Sequence, residues 1–188
     1  MRGSFLFFFI FLFLLEIVYA QNLETKQTSH IGFWGSMGSS INKDLSGGFG
    51  FRLAMLAFNV GFIDDQQIPY SQIIDYPIES NYTYLGKYKV QPTWGFDIIY
   101  YPRILDKSFY SIGIETGIYF QEYAKIAQSN VSELLYNQGS EYKTLVGVGI
   151  AYEIYITMVE DEYAKWCFLL GIEAHSVRGI NIKVGLGI

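Results

Sequence analysis

Between Tyr110 and Gln121 the chain reads Tyr-Ser-Ile-Gly-Ile-Glu-Thr-Gly-Ile-Tyr-Phe-Gln. Tyr110, Ile112, Ile114, Thr116, Ile118 and Phe120 are mostly bulky and apolar. Ser111, Gly113, Glu115, Gly117 and Gln121 are small or polar, with Tyr119 the one aromatic among them. Successive side chains of a strand point to opposite faces, so an alternation of this kind makes the stretch a β-strand with one apolar side.

The same pattern recurs along the chain. Val146, Val148, Ile150, Tyr152, Ile154 and Ile156 stand against Gly147, Gly149, Ala151, Glu153 and Tyr155. Trp166, Phe168, Leu170 and Ile172 stand against Gly171, Glu173 and His175, and Ile180, Ile182, Val184, Leu186 and Ile188 against Asn181, Lys183, Gly185 and Gly187. Earlier in the chain, Phe49, Phe51 and Leu53 oppose Gly48, Gly50 and Arg52; Phe58, Val60 and Phe62 oppose Asn59 and Gly61. Trp94, Phe96, Ile98 and Tyr100 oppose Gly95 and Asp97, and Ile31, Phe33 and Met37 mark a first strand. The spacing predicts strands over 29–39, 46–54, 57–65, 86–101, 108–127, 141–158, 163–175 and 179–188, with a tight turn at Met55-Leu56 dividing the second from the third.

The apolar faces carry too many bulky side chains to fit inside an eight-stranded ring, whose interior has little room. The opposite faces are glycine-rich and thinly charged, which suits a cramped interior. Only 16% of residues are charged, against about 25% in ordinary soluble domains. Lipid offers no partner to backbone N–H and C=O groups, and a closed sheet satisfies them all. The expected fold is therefore all-β: an eight-stranded antiparallel transmembrane β-barrel of an outer membrane, monomeric, with lipid as its partner. A soluble lipocalin-like ligand carrier, its apolar face turned inward, is the alternative reading of the same alternation.

The N-terminus adds a compartment. Arg2, the apolar run Phe5 to Leu15, and small residues at Val18 and Ala20 form a secretory signal peptide over 1–20, leaving 21–188 as the barrel domain. The net charge of −5 excludes a nucleic-acid partner. Cys167 is the single cysteine, so no internal disulfide can form.

Signal peptide and alternating strands together resemble the small outer-membrane barrels of the OmpX/OmpA-transmembrane type, over the whole mature chain. The resemblance implies the outer membrane of a Gram-negative-type bacterium, with long outer loops at about 64–85 and 128–140 and short periplasmic turns. The chain departs from that type in ending Gly185-Leu186-Gly187-Ile188, without a terminal aromatic residue.

Chemistry is expected on the polar faces. Arg52, Asp97, Glu115, Glu153, Glu173, His175 and Lys183 fall there, and charges in a narrow interior are costly unless paired. A structural network of ion pairs is the expected role, with a proton or ion path as the contrasting one. Carboxylates outnumber bases in this set, so at least one glutamate is expected to be protonated or hydrated. His175 and Ser176, with Glu173 nearby, have the residue types of a hydrolase, but neighbours on a strand face opposite ways. No catalytic residue, metal ligand or cofactor is therefore assigned. Tyr70, Tyr76, Tyr82 and Tyr84, with Asp64, Asp65, Asp75 and Glu79, make the first long loop a candidate surface for a ligand or host component. The expected function is non-enzymatic, either envelope-structural or surface-interacting. A lipid-modifying outer-membrane enzyme and a narrow pore are the further alternatives. Asn81-Tyr82-Thr83 and Asn130-Val131-Ser132 match glycosylation acceptors, a pattern that chance often supplies.

Overall fold

A computed structural model describes residues 31–75, 81–102, 105–107, 109–160 and 165–188. The expected signal peptide, Tyr76 and Glu79 lie outside the described residues. The strands are β1 (Ile31–Ser39), β2 (Leu45–Leu53), β3 (Leu56–Ile63), β4 (Ile73–Ile74), β5 (Tyr82–Lys89), β6 (Thr93–Tyr100), β7 (Tyr110–Ser129), β8 (Leu135–Glu160), β9 (Lys165–His175) and β10 (Gly179–Gly187). A 3-10 turn covers Tyr70–Gln72.

One sheet holds all ten, in the order β4-β8-β9-β10-β1-β2-β3-β6-β7-β5, and β7 also pairs with β8. The β7–β8 ladder runs from Tyr110↔Ile154 to Gln128↔Leu135. Eight strands (β1, β2, β3, β6, β7, β8, β9 and β10) therefore each have two antiparallel neighbours and form an unbroken hydrogen-bonded circuit. The turn between β2 and β3 falls at Ala54-Met55, where Ala54 adopts φ +55°.

Burial alternates as the side chains do. Along β6 it reads buried and exposed in turn from Thr93 to Ile99, and β10 does the same from Gly179 to Val184. Polar and small residues point into the circuit, and Phe33, Phe49, Phe96, Val148, Ile156 and Ile182 are among the apolar side chains exposed on its outside. The interior is packed with large side chains: Arg52, Arg178, Tyr101, Tyr119, Lys183 and Leu169 are each almost wholly buried.

The eight-stranded, wholly antiparallel outer-membrane barrel of the OmpX/OmpA-transmembrane type expected from the sequence is replaced by a ten-stranded mixed sheet. The cause lies in the segments read as loops. β7 and β8 continue beyond the circuit, and the 64–85 region supplies two strands that pair with their extensions. β5 runs antiparallel to β7 from Tyr82↔Ser129 to Lys89↔Tyr123. β4 runs parallel to β8 through Ile73↔Leu135 and Ile74↔Tyr136. Ile73, Val90, Ala124 and Ile126, with Ile68, Tyr88 and Leu135 against them, give this four-stranded extension a small core of its own. Most of 128–140 likewise belongs to β7 and β8 rather than to a loop.

The ten-stranded mixed sheet likewise overturns the expected outer-membrane location, lipid partner and porin-like, transmembrane character. Alternation fixes which side of each strand is apolar, but it does not name what covers that side. No helix among the described residues is long and apolar enough to cross a membrane, a statement that concerns helices alone.

Candidate functional site

The structure places Arg52, Asp97, Glu115, Glu153, Glu173, His175 and Lys183 in the interior, all buried, and divides them into two clusters. The first gathers around Glu153 on β8. Lys183 Nζ donates to Glu153 Oε1 at 2.6 Å, and Tyr101 donates to the same oxygen at 2.5 Å. Tyr155 donates to Oε2 at 2.7 Å, and Arg52 Nη1 reaches that oxygen at 3.4 Å. Arg52 also donates to Ala54 O, Ser111 Oγ and Asp106 Oδ2, and its guanidinium lies 3.7 Å over the Tyr101 ring. Burial works against ionising Glu153, yet the Lys183 ammonium and these hydrogen bonds hold its carboxyl below the ordinary range.

The second cluster gathers around Arg178, which stands in the β9–β10 turn and folds its side chain inward. A Cβ at Gly61 would lie 2.4 Å from Arg178 Cδ, so the absence of a side chain on β3 makes room for the guanidinium. Nη2 lies 3.0 Å from Asp97 Oδ2, 2.7 Å from Glu115 Oε1 and 2.6 Å from Glu173 Oε1. Nε donates to Tyr119 Oη at 2.5 Å, and Tyr119 donates in turn to Asp97 Oδ2 at 2.5 Å. Asn59 turns its amide oxygen toward Nη2 at 2.6 Å while its Nδ2 donates to Phe49 O at 3.0 Å. Burial opposes ionisation of Asp97, but His175, Arg178 and Tyr119 hold it below the usual carboxylate range. Burial, and next the neighbouring Glu173, push Glu115 the other way, up to about 8.

Asp97, Glu115 and His175 each offer an atom within 4.8 Å of the others, the residue types of a metal site. The tautomer of His175 argues against that use. Its Nδ1 accepts the backbone N–H of Val177 at 3.2 Å and of Arg178 at 3.1 Å. The ring proton therefore sits on Nε2, which faces Asp97 Oδ1 at 3.4 Å and has no lone pair free for a cation. A metal-bound histidine normally shows the opposite pattern, donating from its second nitrogen. The guanidinium already occupying the centre would repel a cation further.

A hydrolytic constellation is likewise not assembled. His175 is buried, and Ser176 Oγ accepts the N–H of Val148 at 3.0 Å. Of the loop tyrosines, Tyr70 is exposed and donates to Asp75, and Tyr82 and Tyr84 are exposed on β5. The acceptor triplets meet at the tip of the extension, where Asn130 Nδ2 donates to Asn81 Oδ1 at 2.7 Å and Thr83 donates to Asn130 Oδ1 at 2.8 Å.

Sequence reasoning missed Arg178, Tyr101 and the interior role of Tyr119 and Tyr155. Tyr101, just past the end of β6, is wholly buried and lies against the Arg52 guanidinium. The odd aromatic on the polar face of β7 was the available signal for Tyr119. Nothing in the alternation marks Arg178, since a turn has no period.

At the rim where the extension rises, a cavity of about 380 Å³ opens. Ser40, Asp44, Ile63, Asp65, Lys89 and Gln121 are among its lining residues. Asp65 pairs with Lys89 and accepts the Thr93 N–H at 3.0 Å, and Gln121 Nε2 donates to Thr93 Oγ1 at 3.1 Å. No protein-family model and no curated protein matches the chain.

Proposed function

We propose that the protein is a non-catalytic binding protein whose site is the open rim beside the four-stranded extension. The interior leaves no room for a ligand, because the two ion-paired clusters fill it. The observation that carries the reading is the rim cavity, whose size falls within the range of small-molecule sites. Its lining combines a pre-set Asp65–Lys89 pair, the Gln121 amide and the Ser40 hydroxyl with apolar Ile63, Val146 and Val177. That chemistry suits a small amphiphile bearing a zwitterionic or hydroxylated head.

Isothermal titration of the full chain with a panel of small zwitterions and polyols tests this. Saturable binding to the wild type that disappears in Ser176→Trp, a substitution that fills the cavity, is the expected result. A wild type that binds no member of the panel, or a Ser176→Trp variant that binds equally well, rejects the rim as the site.

A further inference from the structure

We infer that the cluster around Arg178 binds a single exchangeable proton among its carboxyls, and that releasing it loosens the attachment of the β9–β10 turn to β6 and β7. The rim cavity plays no part in this inference. It starts from a count of donors. An Nη2 nitrogen carries two hydrogens, yet three carboxylates and the Asn59 amide oxygen crowd within 3.0 Å of it, so two of these acceptors must go without. Glu173 goes without: its Oε1 approaches Nη2, but neither of its oxygens accepts a hydrogen bond. Glu115 Oε2 has no donor either, whereas Glu153 in the first cluster has four. A buried carboxylate oxygen without a donor is costly, and protonation removes that cost.

The charged and titratable groups around Glu115 leave no other source of compensation. β6 presents Asp97, β7 presents Tyr119, and β9 presents Glu173 and His175. The turn contributes Arg178, and β10 contributes Lys183, whose ammonium is engaged by Glu153. β8 faces the glutamate with Gly149, and the neutral Asn59 on β3 lies against Arg178. A divalent cation would also balance the charge, but the His175 tautomer described above disfavours it.

The ordinary glutamate value is 4.5 and the folded value about 8, so the folded state holds the proton more tightly than the unfolded chain does. Stability from this group is full below about 4.5, declines as pH rises, and is gone by about 8. Above that range the proton has passed to water, and three carboxylates face one guanidinium.

Chemical unfolding of the full chain from pH 5 to 9, for wild type and Glu115→Gln, tests the site. The wild type is expected to lose stability relative to the variant as the pH rises toward 8, and parallel curves overturn the inference. A second measurement needs no variant: calorimetric unfolding of the wild type at pH 7.5, above the range where unfolded histidine titrates, in buffers of low and high ionisation enthalpy. Release of about one proton supports the site, and release of none overturns it. A stoichiometric divalent ion found by elemental analysis of the purified wild-type chain would also overturn it.

Discussion

Lys183 on β10 and Glu153 on β8 meet at 2.6 Å across the intervening β9, and the Lys183 ammonium lies 3.9 Å over the Trp34 ring. The pair ties together strands that share no backbone hydrogen bond. Removing one partner leaves the other charge buried. Lys183→Met should therefore cost about 3 kcal/mol, toward the low end for a broken buried pair because Tyr101, Tyr155 and Arg52 still serve Glu153. A double-mutant cycle with Glu153→Gln, read by chemical unfolding, should show coupling above about 1 kcal/mol. Additive effects would mean that the two charges are stabilised independently.

Arg52 poses a sharper geometric demand. Its guanidinium faces Ala54, Ser111, Asp106, Tyr155 and Glu153, with the last of these the most distant at 3.4 Å. A lysine places one charge and three hydrogens there and cannot reproduce the planar fork. Arg52→Ala should lower the unfolding midpoint markedly, and Arg52→Lys should recover less than half of that loss. Full recovery by lysine would show that charge alone matters.

These two predictions rest on residues visible in the sequence, because alternation sorts every strand residue to one side or the other. Alternation alone puts Asp97, Glu115, Glu153, Glu173 and Lys183 together on the polar faces. It cannot place Arg178, since its side chain turns inward from a turn held by Gly179 at φ +74°. The extension was hidden for a different reason. β5 is exposed along most of its length, so Tyr82 to Leu85 show no apolar face, and its partner is the far end of β7. Strand pairing by backbone hydrogen bonds leaves little trace in side-chain order.

The extension carries its own electrostatic tie. Glu141 on β8 accepts from Lys87 on β5 at 2.6 Å and lies 2.9 Å from Lys125 on β7, and these two lysines hold its carboxyl down to about 2. A carboxyl depressed in this way stabilises above the ordinary value of 4.5, and the effect is lost as pH falls toward about 2. Amide exchange of β5 should rise over that acid range and also in Glu141→Gln, and it should rise modestly, because the groups are exposed and salt-screened. Exchange in β9 and β10 should not follow, and β5 exchange insensitive to Glu141 would leave the small core around Ile73 and Ile126 as the sole tie.

Glycines inside and outside the circuit should respond oppositely to a methyl group. A Cβ at Gly117 would stand 1.9 Å from Asp97 Oδ1 and 2.4 Å from Phe96 O. The carboxylate could swing aside only by giving up its place beside Arg178 and Tyr119, and the backbone oxygen cannot move without parting β6 from β7. At Gly35, on the outer face of β1, the nearest atom lies 4.0 Å away. Gly117→Ala should cost about 3 kcal/mol, a severe case of overpacking, while Gly35→Ala should stay within about 0.5 kcal/mol of wild type. Because Asp97 is displaced only in the first variant, tyrosine absorbance reporting on Tyr119 should change there and not in the second. Equal unfolding midpoints for the two variants would mean that the close packing of Asp97 against β7 contributes nothing to holding the circuit together.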